Sequence, residues 1–254
     1  MMQAAPAPFL ARATVSPAVF ELRPDYRALL VAVAGLTPGP PDAADDELVE
    51  SAEVTARAAL HNCPAAEMPH VAAWREAYRG FGAKPQRTRN SLEALMRRMD
   101  AGLPRVNRLT DTYNAISVKH QIPLGGEDLA HYVGPAQLVR ATGQELFDTT
   151  AAGEAVIEHP DPGEVVWCDD VGVTCRRWNW RQGRRTQLTD QTSAALFILD
   201  ALDPVTDTEL HAAADELTTH LMRFGSQVTT DRRLISAPDP TGAEVGDAPD
   251  PGVP

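Results

Sequence analysis

The chain has 254 residues, 43% of them apolar, and a formal net charge of −12 at pH 7. That length suits one large domain or two small ones with a sizeable core. No apolar run approaches the roughly eighteen residues of a membrane span, the start MMQAAPAPFLARATVSP lacks the make-up of a secretory leader, and an acidic balance argues against simple nucleic-acid binding, so a soluble cytoplasmic protein is expected.

The first dozen residues, rich in Ala and Pro, read as mobile. The run ALLVAVAGL within Phe20 to Leu36 predicts a buried strand that ends at Gly35 and the following Pro turn. Residues 44–60 have amphipathic helical spacing, and Trp74 to Tyr78 predict a short helical segment. Asn90 with Glu93 three residues on has the form of a capping box, and Leu92, Leu95, Met96 and Met99 give a core-facing stripe that Gly102 and Pro104 end. In the helix expected from Val106 to Val118, the residues Val106, Leu109, Tyr113 and Ile116 fall on one side and Asn107, Asp111 and Asn114 on the other. Asn and Asp cost a few tenths of a kcal/mol each in a helix interior relative to Ala. A stripe of them reads either as a gripping surface or as side chains bonded to nearby loops.

Beyond that helix the pattern becomes β, with short strands expected over 135–142, 154–159, 164–169, 171–179 and 185–189. Residues 189–202 end in the apolar run SAALFILDAL and fit either a helix or a buried strand. Residues 206–224 have helical spacing, and from Gly225 the chain loses its apolar pattern, so 226–254 are expected to be a disordered acidic, Pro-rich tail. The expected division is a flexible 1–14, one domain over 15–225, and the tail.

Charge is unevenly distributed. Residues 75–108 hold nine basic and three acidic side chains, and residues 176–185 hold five Arg and no acid. These cations either form one positive surface or pair with acids inside the fold. Lys84, Arg87, Arg89, Arg177 and Arg181 are the candidates to meet phosphates. The three Cys show no CxxC or metal spacing and the seven His are not paired at helical spacing, so no metal and no cofactor are expected; a Cys168–Cys175 bridge is conceivable, with reduced thiols preferred. P-loop, GxGxxG, HExxH and GxSxG motifs are absent.

Several motifs in order carry a family resemblance: WREAYRGFGAKP, RNSLEALMRRM, LPRVNRLTDTYNAISV, GGED at 125–128, GQEL at 143–146, PGEVVWCDD at 162–170 and RRWNWR at 176–181. Together they resemble the B3/B4 domain of the phenylalanyl-tRNA synthetase beta subunit, which also occurs free-standing. The length leaves no room for a synthetase active site, so the free-standing form is expected. The resemblance implies an α+β fold of mixed β-sheet layers flanked by helices, and hydrolysis of an amino acid from the acceptor end of a mischarged tRNA, since the synthetase domain removes Tyr from the tRNA for Phe.

An aminoacyl ester is already activated, so orientation and a few donors can suffice for its hydrolysis. Asn114, Asp111 and Glu164 are the catalytic candidates: Asn114 as a donor to substrate oxygens, Asp111 as a partner for the α-ammonium, Glu164 as a base or recognition carboxylate. Asn107, Ser117, Asp169, Asn179, Thr189 and Thr192 are candidates for holding the substrate. Each has a plainer reading: Ser117 as a helix-end hydroxyl, Glu164 and Asp169 in a strand-end turn, Thr189 and Thr192 as turn or cap residues. In a β alternation Arg177, Asn179 and Arg181 share a face opposite Trp178 and Trp180. A non-catalytic module that binds an amino acid or charged tRNA, and a hydrolase of small amino-acid esters, are the rival readings.

Overall fold

The computed structural model describes residues 6–238. In chain order the elements are α1 (Pro6–Arg12), β1 (Thr14–Val15), α2 (Pro17–Leu22), β2 (Arg27–Ala34), α3 (Ala43–Asn62), α4 (Pro69–Gly80), α5 (Ser91–Met96) and α6 (Arg108–His120). There follow β3 (Leu124–Asp128), β4 (Gln137–Arg140), β5 (Phe147–Ala151), β6 (Glu154–Glu158), β7 (Val165–Cys168), β8 (Val173–Arg176), β9 (Arg181–Gln182), β10 (Ala194–Ala201), α7 (Asp207–Leu221) and β11 (Thr229–Ser236).

The four-stranded antiparallel sheet β11-β2-β10-β3 is the centre of the molecule. Both of its faces are covered, which is why β2 (RALLVAVA) and β10 (AALFILDA) are almost wholly apolar rather than alternating. On one face Leu29, Val31, Phe197 and Leu199 meet α3, α6 and α7. On the other, Leu30, Leu196 and Ile198 meet Trp74, Trp167 and Trp178, which belong to α4, β7 and the chain after β8. A second sheet, β1-β4-β7-β8-β9, is antiparallel except for the parallel β1–β4 pair, and β5–β6 form a hairpin. The architecture is α+β, mixed sheets flanked by helices.

Several expectations change. Residues 189–202 resolve as strand β10, because the apolar run is inserted between β2 and β3. The expected strand at 185–189 reduces to a single bridge between Gln187 and Glu127. Strands β3, β5 and β11 have no counterpart in the sequence reading. The ordered unit also extends past both expected boundaries. Pro6–Arg12 is a helix that buries Phe9 and Leu10, and Thr229–Ser236 pairs along the whole of β2. Arg233 joins the two ends, its Nη1 donating to the carbonyls of Leu10 (2.6 Å), Ala11 (3.0 Å) and Ala13 (2.9 Å), where the last turn of α1 leaves acceptors open. As an edge strand with an exposed face, β11 needs few apolar residues. The expected mobile start and disordered tail otherwise fall on residues 1–5 and 239–254, outside the described residues.

Candidate functional site

Strand β8 leads into the feature that shapes the site. Arg177 and Trp178 both adopt left-handed backbone conformations (φ 48° and 67°), which non-glycine residues rarely do even singly. The expected alternation of RRWNWR therefore breaks after Arg176. The turn is pinned by Glu164, buried at the start of β7. Its carboxylate accepts from Arg176 Nε (2.9 Å) and Nη2 (2.8 Å) and from the Arg177 backbone N–H (3.1 Å). Trp178 is drawn into the core, edge-on to Trp74 (5.2 Å between centroids) and Tyr26 (4.9 Å).

With Trp178 fixed inward, Asn179 closes one end of a cavity of about 230 Å³ that opens to the surface, below the range typical of drug-sized sites. Its floor is the face of the central sheet that carries Gly125 and Glu127 on β3 and Ile198 and Asp200 on β10. Gly125 lies opposite Ile198, and Leu196 opposite Glu127. The glycine leaves room above the floor, and the two carboxyl groups stand at its two ends, four residues apart in register and so roughly 13 Å along the strand. Leu95 of α5, Tyr113 and Asn114 of α6, Trp167, and the segment Trp178–Gln182 form the walls.

The polar groups at the Asp200 end form a chain. Tyr78 donates its hydroxyl to Asn179 Oδ1 (2.9 Å), Asn179 Nδ2 donates to Asp200 Oδ2 (3.2 Å), and the Tyr26 hydroxyl donates to Asp200 Oδ1 (2.6 Å). Burial pushes the Asp200 carboxyl up to about 7 against the pull of those two donors. At the other end Glu127 accepts from the Tyr132 hydroxyl and is likewise pushed up by burial to about 7. Neither carboxyl has a guanidinium or ammonium partner among the described residues. Gln182 Nε2 donates to the Gly126 carbonyl (2.7 Å) and holds the mouth segment on β3. The Asn114 amide, 8% exposed on the cavity wall, makes no hydrogen bond with any described residue.

The remaining candidates lie elsewhere. Asn107 is the N-cap of α6, outside the helix, accepting from the Thr110 N–H (2.9 Å) and donating to the Leu188 carbonyl (3.2 Å). Asp111 accepts from Arg105 Nε (2.9 Å) and the Val106 N–H (2.8 Å). Both border an open depression with Arg105 and Arg108, away from the cavity walls. Ser117 is fully buried and donates to the Ile122 carbonyl (2.6 Å). Asp169 accepts from the N–H groups of Val133, Val171 and Gly172 and from Arg185. Burial works against its ionisation, yet the Arg185 pair and those amides outweigh it and hold it below the usual carboxylate range. The Thr189 N–H donates to Thr192 Oγ1, whose hydroxyl donates to Asp128 (2.6 Å). So the plainer readings describe what Asn107, Asp111, Ser117, Asp169, Thr189 and Thr192 do in the fold.

Most cations of the basic segments find acids. Arg75 and Arg97 converge on the buried Glu93, with Arg89 at 3.8 Å, and Arg108 binds Asp42 and Asp45. Glu93 is thereby committed to arginines, so only the Asn90 half of the capping box forms. Arg181 borders the cavity and donates to the Thr150 carbonyl. A second cavity, about 480 Å³, adjoins the turn and is bordered by Lys84, Arg87, Thr88, Glu164 and Arg177. Arg177 bonds Thr88 and Glu164 there and lies over the Trp180 ring (4.6 Å), while Lys84 and Arg87 are exposed and make no ion pair with a described residue. Among the described residues no cluster of His, Cys, Asp and Glu has the make-up of a metal site, and no helix is long and apolar enough to cross a membrane. The three thiols are free, and burial raises Cys168 to about 12 and Cys175 well above the usual range.

Glu127 and Asp200 were missed in the sequence. A lone carboxylate inside the run SAALFILDAL was the available signal for Asp200, and the GGED motif for Glu127.

No curated protein matches the chain. Among solved structures it is similar to an N-terminal fragment of the phenylalanyl-tRNA synthetase beta subunit from Pyrococcus horikoshii, at 12% identity and a TM-score of 0.43, over 87% of this chain and 53% of that one. The chain thus spans about half the length of that fragment. The model of the B3/4 domain matches residues 73–229, from α4 into β11, and includes every wall of the cavity. The chain belongs to the B3/4 domain family.

Proposed function

We propose that this chain is a hydrolase of aminoacyl esters that removes an amino acid from a mischarged tRNA. The observation that carries the reading is the unpaired Asn114 amide on the wall of an amino-acid-sized cavity whose two ends hold carboxyl groups without cationic partners. An amide that the protein leaves unpaired at the cavity wall is available to a ligand. Its N–H can donate to the ester oxygen as charge develops there in the transition state. The Asp200–Asn179 pair offers the α-ammonium group an anion and a carbonyl oxygen, the role first sought in Asp111. Leu95, Ile198 and the tryptophans take an apolar side chain.

On this reading the acceptor end crosses the Arg177–Trp180 turn toward Lys84 and Arg87, two exposed basic side chains beside it that make no ion pair with a described residue. Arg89, Arg177 and Arg181 are already engaged within the fold and contribute less. Binding rests on few phosphate contacts and weakens shallowly with salt.

The test is release of amino acid from a panel of correctly and incorrectly charged tRNAs. Multiple turnover on one or a few members supports the proposal. Saturable binding of amino acids with no release from any member contradicts it and leaves a binding module.

A further inference from the structure

One oxygen in the cavity is left over by the account so far. Glu127 is 1% exposed, and its Oε2 is engaged by the Tyr132 hydroxyl, while its Oε1 has no hydrogen-bond partner. The Thr174 hydroxyl is near the carboxyl without meeting hydrogen-bond geometry. On the same cavity wall the indole N–H of Trp167, also 1% exposed, has no partner either. One is an acceptor and the other a donor. A water in this polar cavity would supply the donor that Oε1 lacks.

Resting on the hydrolase reading, we propose that Glu127 is the general base of the reaction and that its free Oε1, with the Trp167 N–H, seats the attacking water. Asp200 is not taken for this task, because the hydrolase reading gives it to the α-ammonium group and each of its oxygens already accepts one hydrogen bond, from Tyr26 and from Asn179. Glu164 and Asp169 are saturated by arginines and backbone amides. In the step, one proton of the water passes to Glu127 Oε1 as the water oxygen adds to the ester carbonyl carbon. The tetrahedral intermediate expels the ribose oxygen, which takes that proton back from Glu127. The amino acid leaves as a carboxylic acid that ionises into solvent, the ribose hydroxyl is freed, and the carboxylate is restored.

The surroundings tune the group for both halves of this cycle. Burial raises it, the Tyr132 hydroxyl and the nearby Thr174 hydroxyl lower it, and Asp169 raises it while the Arg185 beside Asp169 lowers it, which leaves it at about 7. Cys175 on β8, Tyr113 on α6 and Asp200 on β10 also face it; burial keeps both the thiol and the phenol neutral. Near pH 7 the carboxylate accepts a proton, and its acid form returns one.

The test is single-turnover deacylation across about pH 5.5 to 8.5, on the panel member that wild type releases fastest, with Glu127→Gln and Tyr132→Phe. Glu127→Gln keeps an acceptor for Tyr132, and thermal melting checks its fold. Wild type is expected to gain rate with pH through a limb near about 7. Glu127→Gln loses that limb and about 100-fold or more in rate, while still binding the free amino acid. Tyr132→Phe, which removes a lowering contact, moves the limb to higher pH. Titration of the substrate's own amino group is common to all three proteins and cancels in the comparison. A Glu127→Gln variant within about threefold of wild type, with the same pH profile, overturns the assignment while leaving the hydrolase reading intact. A wild type that releases nothing contradicts both.

Discussion

The start and the middle of α6 carry the same kinds of side chain and put them to different uses. At its start Asn107 caps the helix and reaches the Leu188 carbonyl, and Asp111 folds the Arg105–Val106 segment back onto the first turn. Beyond them Asn114 faces the cavity with no bond to the protein. The same contrast separates Glu164, which takes up Arg176 and the Arg177 N–H, from Glu127, which keeps an oxygen open. Polar residue type does not mark a site in this molecule. What sets Asn114 and Glu127 apart is that they keep bonding capacity open beside the cavity.

If that division is right, substitutions on the satisfied side act first on stability. The largest effect is expected at Glu164. Glu164→Ala leaves the buried Arg176 without its main partner and releases the left-handed turn, at a cost of about 3–5 kcal/mol in chemical denaturation. A loss under about 1 kcal/mol would mean that the turn is held by other contacts.

Next in size is a pH effect at His70. Its Nδ1 lies 2.8 Å from the Gln121 carbonyl, and its Nε2 accepts from the Trp74 indole and the Leu202 N–H, so the neutral ring is satisfied at both nitrogens. Burial lowers it to about 4. A lowered histidine contributes stability above its unfolded value and loses it as pH falls from about 6.5 toward 4, up to about 3 kcal/mol here. Glu127 and Asp200, raised to about 7, run the other way, their contribution being lost as pH rises from the ordinary carboxylate range through about 7. The stability gap between wild type and His70→Phe isolates the histidine, and it should shrink on acidification. A gap constant between pH 7 and about 4.5 contradicts the assignment of a neutral, satisfied ring.

Smaller still, Asn107→Ala should cost about 1 kcal/mol through the lost cap and leave deacylation unchanged, measured by thermal melting and single-turnover release. A tenfold loss of activity with a native melting curve would move the site boundary toward the helix start.

What could be read from the sequence follows the same division. Helices α3 and α7 were legible from periodicity, and β2 from its apolar run, because their burial is repeated along the element. The run of β10 was ambiguous, since covering both sheet faces erases the alternation that identifies a strand. Strand β11 was missed because an edge strand with two apolar residues has little pattern to show. The alternation expected in RRWNWR failed at Arg177 and Trp178, where Glu164 and a tryptophan cluster from α4 impose a left-handed backbone. Asn114 and Asn179 were visible as polar residues on amphipathic or alternating segments. The pairing of Arg108 with Asp45, or of Arg75 with Glu93, is tertiary and leaves no local trace, so the basic segments looked freer than they are.

The measurement that tests this division most directly is single-turnover deacylation by wild type, Asn107→Ala and Asn114→Ala on one aminoacyl-tRNA, beside their melting curves. Asn114→Ala is expected to lose about 100-fold, as for a removed oxyanion donor, with a native melting temperature, and Asn107→Ala to keep wild-type rates. Equal rates for Asn114→Ala and wild type would contradict the placement of the site at this cavity.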